Sequence, residues 1–121
     1  QDHYVKEMRL VIAQDRMEAI QKIVTRWVAN FQPKAVLVFG STTRGTVRPD
    51  SDIDIIVVWD EQFNLPNRQR RMKLRDAAGE VPFPMDIFTY TKQEWDNAIA
   101  DPLSFTANVA KEATIVYGGL H

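Results

Sequence analysis

Residues Val36–Val58 read VLVFGSTTRGTVRPDSDIDIIVV, and the fold turns on how this stretch is parsed. Its first part, taken with Ala35, is apolar and mostly β-branched or aromatic up to Phe39, and it stops at Gly40. That composition fits a short buried strand better than a helix. The last part, Ile53 to Trp59, is apolar at consecutive positions apart from Asp54, the pattern of a central strand covered on both faces. Between them, Thr46 to Ser51 contains Arg48, Pro49, Asp50 and Ser51, which reads as an exposed, turn-rich loop. Gly40 lets the backbone turn sharply. If Ser41-Thr42-Thr43 then opens a short helix, its free N–H groups and the Ser41 hydroxyl point where a phosphate could sit, with Arg44 adding a fixed positive charge. Asp52 and Asp54 stand at the start of the second strand. Residues two apart on a strand point to the same side, so these carboxylates converge, and a divalent, oxygen-preferring cation relieves their repulsion. Strand, glycine turn and acidic strand in this order point to metal-assisted phosphate chemistry.

Upstream, Val5 to Phe31 reads as a helix, because Ala13, Met17, Ile20, Val24, Trp27 and Phe31 recur at steps of three and four and form one apolar stripe. Pro33 closes it just before the first strand. Downstream, Leu65 to Gly79 is helical in pattern, with Pro66 near its first turn and Gly79 at its end. Arg68, Arg70, Arg71, Lys73 and Arg75 make this helix strongly basic; such a helix could grip RNA or a triphosphate tail, but a solvated face whose charge offsets the acidic cleft is the favoured reading. Pro82 to Tyr90 supplies a third strand that carries Asp86 between Met85 and Ile87. A carboxylate in that setting either meets a cation or faces a cleft. Thr91 with Glu94 three residues later is a capping box opening a helix to Ala100, from which Trp95 and Ile99 are expected to pack with Phe88. Asp101-Pro102 breaks that helix, Ser104 to Lys111 forms a shorter one, and Thr114 to Tyr117 is a final β-rich run. The expected architecture is therefore one α/β domain over residues 1–121, a small mixed sheet flanked by helices.

The totals narrow the chemistry. With 121 residues the chain suits one core. Its net charge of −1 gives no general attraction to nucleic acid or to a membrane surface, so any nucleic-acid contact is local and not favoured. The sequence has no cysteine and no apolar run long enough to span a bilayer, which fits a cytoplasmic location. Its two histidines, His3 and His121, sit at the ends of the chain, which disfavours a histidine triad or a zinc site.

Gly40-Ser41 followed after ten residues by Asp52-Ile53-Asp54 resembles the signature of the DNA polymerase β-type nucleotidyltransferase superfamily. The run Ser41-Thr42-Thr43-Arg44-Gly45 further resembles the minimal nucleotidyltransferases, including the antitoxin half of toxin–antitoxin pairs whose toxin is a helical HEPN protein. The resemblance implies transfer of a nucleoside monophosphate from ATP or another nucleoside triphosphate to a hydroxyl, with two Mg²⁺ ions held by Asp52, Asp54 and a third carboxylate, Asp86. It also implies that Gly40, Ser41 and Arg44 hold the β- and γ-phosphates. Asp50 is either an extra ligand or a turn residue. The subgroup points to a tyrosine of a HEPN-type partner as acceptor and AMP as the group transferred. Two other readings stay open: an antitoxin that works by binding alone, and a nucleotidyltransferase acting on RNA ends or on a small molecule such as an aminoglycoside.

Overall fold

Helix α1, Gln14–Phe31, turns Ile20, Ile23, Val24 and Trp27 into the core and packs Met17 and Phe31 at its margins. The expected stripe is present, widened by Ile23. The computed structural model describes residues 14–39, 53–60, 65–81 and 83–120, and the expected helical residues before Gln14 lie outside that range. After α1 come β1 (Ala35–Phe39), β2 (Ile53–Trp59), α2 (Asn67–Ala78), β3 (Met85–Thr91), α3 (Lys92–Ala100), α4 (Phe105–Ala110) and β4 (Thr114–Gly118).

The four strands form one mixed sheet in the order β3-β2-β1-β4. β1 is antiparallel to both β2 and β4, whereas β2 and β3 run parallel, as a crossover through α2 requires. β2 is central, and all its residues except Asp54 are buried, which is why its apolar residues are consecutive. Its side chains feed two cores. Ile53, Ile55, Val57 and Trp59 face α1 and α2, joined by Trp27, Leu74 and Ala78, while Ile56 and Val58 face the other side with Leu37, Phe39 and Trp95.

Polar contacts fix the helices. The Trp27 indole N–H donates to the Leu74 carbonyl at 2.8 Å, and the Arg26 guanidinium donates to the Ala78 carbonyl at 2.5 Å, so consecutive residues of α1 grip the last turns of α2. On the other side of α2, Asn67 and Arg75 donate to the Thr89 and Met85 carbonyls of β3, at 2.7 and 2.8 Å. β4 ends at Gly118 with φ of 73°, and a Cβ there would lie 2.0 Å from the Lys34 carbonyl oxygen. Only glycine lets the last strand close against the start of β1 in this way.

The helix starts follow their caps. Thr91 and Glu94 make the reciprocal capping box of α3, and the Ser104 hydroxyl accepts from Ala107 N–H at the start of α4. Ile99, expected to pack with Phe88, is instead 39% exposed, and Trp95 alone anchors α3 in the core. One of the basic residues of α2 is also not solvated. Arg70 is buried, donating to the Leu65 carbonyl and bridging Glu94 at 2.7 Å. Glu94 thus caps α3 and neutralises a buried cation. Glu94→Ala is expected to destabilise the protein by about 1–3 kcal/mol, the cap and the ion pair together, discounted because Glu94 is half exposed. Urea unfolding measures it, and an unchanged midpoint would show that water replaces both contacts without loss.

Candidate active site

On the sheet face covered by α3 and α4, the strand registers stack side chains in rows. Phe39, Asp54 and Asp86 are successive partners across β1, β2 and β3. The next row is Leu37, Ile56 and Phe88, and the third is Ala35, Val58 and Tyr90. The first row is where the apolar layer ends and carboxylates begin. Neighbouring strands lie about 4.8 Å apart, so Asp54 and Asp86 present like charges side by side from strands that only tertiary pairing brings together. Asp54 is half-buried and Asp86 is exposed. Asp86 faces a cleft, a position compatible with the metal-ligand role expected of it.

Aromatic rings close the inner side of this row. Phe88 lies 5.4 Å from Phe39 and 5.5 Å from Phe105, centroid to centroid, and Phe39 and Phe105 are 6.2 Å apart. Phe105, the first residue of α4, remains 55% exposed at the rim. Such a cluster gives the row an apolar, rigid backing.

Asp86 opens into a cleft of about 550 Å³ lined by Arg68, Arg71, Met72 and Arg75 of α2 and by Ile87 and Phe88 of β3. The arginines were legible as charges but not as lining residues of this site. Their spacing held the signal. Positions 68, 71, 72 and 75 fall on one helix face, while Arg70, Leu74 and Ala78 share the buried one.

The other expected site residues, Gly40, Ser41, Arg44, Asp50 and Asp52, lie outside the described residues. Among the described residues no three His, Cys, Asp or Glu side chains gather as a metal site. Asp54 and Asp86 make two all-oxygen donors at adjacent positions, the donor type that hard divalent cations take, and Asp52 would be the third. Again among the described residues, no helix is long and apolar enough to cross a membrane.

A family model described as nucleotidyltransferase domain matches residues 20–117, from within α1 to the end of β4. The crystal structure of a candidate nucleotidyltransferase from Sulfolobus solfataricus is similar to this chain with a TM-score of 0.63 and 19% identity, covering 92% of this chain and 87% of that one. At that identity the likeness speaks for the fold. No curated protein matches the chain at a significant level.

Proposed function

Because this chain belongs to the nucleotidyltransferase domain family, we propose that it transfers AMP from ATP to a tyrosine hydroxyl of a helical HEPN-type partner and acts as that partner's antitoxin. The observation that carries the reading is the pairing of Asp54 with Asp86 on adjacent parallel strands, at the end of the sheet where both strands begin. Two carboxylates held side by side beside a cleft suit a hard divalent cation and the phosphates it binds, since a cation between them turns their mutual repulsion into attraction.

Nucleotidyltransferase domains act on a nucleoside triphosphate with a divalent metal. In this chain Asp52, Asp54 and Asp86 would hold two magnesium ions. Bound there, the ions supply charge neutralisation for the triphosphate and for the attacking and leaving oxygens. Gly40, Ser41 and Arg44 would hold the β- and γ-phosphates. Asp86, more exposed than Asp54, would take the hydroxyl proton as the new oxygen–phosphorus bond forms and pyrophosphate departs. Phe39, Phe88 and Phe105 back the row with an apolar wall. Positioning and charge account for most of the rate.

Co-expression of the chain with a helical HEPN-type protein from the same source, followed by mass spectrometry of that protein, tests the proposal. One AMP on a tyrosine is expected, dependent on magnesium and absent with Asp86→Asn, while that variant still binds the unmodified partner. A partner that stays unmodified yet is neutralised in a stable complex would reject the catalytic reading and favour an antitoxin that works by binding.

A further inference from the structure

The cleft that begins at Asp86 has a chemistry of its own. Arg68, Arg71 and Arg75 project from one face of α2 over eight residues, about 10 Å of helix. All three are exposed, and among the described residues of the lining Asp86 is the one acid against three arginines, so this part of the cleft is cationic although the chain carries a net charge of −1. Arg75 spends one N–H on the Met85 carbonyl, but neither Arg68 nor Arg71 forms an ion pair among the described residues. Between the arginines lie apolar groups, Met72, 53% exposed, and Phe88.

We infer that this cleft docks the acceptor as an acidic, tyrosine-bearing peptide segment, its carboxylates on Arg68 and Arg71 and its ring against Met72 and Phe88, with the hydroxyl delivered to Asp86. The inference rests on the nucleotidyl-transfer reading for what happens to the hydroxyl, and on charge complementarity for the docking. Guanidinium groups pair with carboxylates in bidentate fashion, and a flexible thioether accommodates an aromatic ring. A nucleic-acid strand fits less well. It carries a charge at every step and would set one against Asp86, whereas an acidic peptide can confine its charge to the arginine side. A bare phosphate track would also have no use for Met72.

The test uses the full chain with three probes: a tyrosine peptide flanked by glutamates, the same peptide flanked by lysines, and a single-stranded oligouridylate. Binding is read by fluorescence anisotropy, and transfer by label from ATP. The glutamate peptide is expected to bind about tenfold more tightly than the lysine peptide, in line with a few exposed ion pairs. The double variant Arg68→Glu, Arg71→Glu is expected to reverse that order. The double variant Asp76→Ala, Glu80→Ala, acidic residues outside the cleft lining, serves as a charge control and is expected to leave the order unchanged, and circular dichroism with thermal unfolding confirms that each variant is folded. Equal binding of both peptides, an unchanged order in the double variant, or tighter binding of the oligouridylate would overturn the inference. Charge-dependent binding without label transfer would keep the docking surface and count against the transfer reading. Transfer to both peptides alike would keep the transfer and remove the docking surface.

Discussion

Asp54→Asn is expected to lower nucleotidyl transfer by about 10²–10³-fold or more, while the melting temperature stays level or rises slightly. The two halves of this expectation come from one geometry. Asp54 sits between Phe39 and Asp86 in a row across three strands, half-buried, with a second carboxylate as its register partner. Asparagine keeps the shape and removes one of two like charges, which relieves repulsion in the metal-free protein. A site that is destabilising without its ligands is common where function sets the residues. Magnesium with ATP should raise the melting temperature of the wild-type chain, because a ligand of the native state stabilises it by mass action, and should raise that of the variant much less. Turnover and thermal unfolding with and without magnesium–ATP check both halves. A variant that keeps its turnover would remove Asp54 from the site, and one that loses turnover together with many degrees of melting temperature would make the residue structural.

Trp27→Ala is expected to have the largest effect on stability, about 4 kcal/mol, out of the 5–15 kcal/mol typical of a domain. Trp27 is fully buried, and its indole both fills the core between α1 and β2 and donates to the Leu74 carbonyl at 2.8 Å. Alanine leaves a cavity and breaks the tie between α1 and α2. Trp27→Phe separates the two contributions, since the phenyl ring keeps most of the volume and loses the hydrogen bond, for about 1–1.5 kcal/mol plus a smaller packing loss. Urea unfolding monitored by far-ultraviolet circular dichroism measures both. If the two variants lost equal stability, the hydrogen bond and not the cavity would dominate. Because α2 carries β3 into place beside β2, a loosened α2 should also weaken the pairing that brings Asp86 to Asp54.

Much of this was legible in the residues themselves. The consecutive apolar residues of β2 mark a strand buried on both faces, and it is one; Thr91 with Glu94 spells a capping box, and the box is formed. Local rules suffice where the interaction is local. They fail where partners come from afar. Arg70 looks like its basic neighbours in sequence, yet it heads the stripe with Leu74 and Ala78 and meets Glu94 from another helix. Ile99 has the spacing to pack beside Trp95, but Phe88 turns instead to Phe39 and Phe105, which no periodicity reports. The candidate site divides the same way. Asp54 and Asp86 could be singled out from sequence as carboxylates in apolar runs, but their register depends on parallel pairing across a crossover. The lining of the cleft by Arg68, Arg71 and Arg75 depends on where α2 docks.

The hydrogen bonds from Asn67 and Arg75 to the Thr89 and Met85 carbonyls also bear on how the protein behaves in a crowded solution. A sheet's outermost strand offers unsatisfied backbone groups on which further strands can grow, the usual seed of fibrils and precipitates. At β3 two of those carbonyls are already taken by side chains of the overlying helix, and the arginine brings a charge that repels a second copy of itself. At the opposite margin β4 has five residues, and a register irregularity interrupts its pairing with β1. Short, irregular margins make poor templates. Both margins of the sheet thus resist runaway strand addition, so a small domain with an open cleft can be concentrated without the sheet itself becoming sticky.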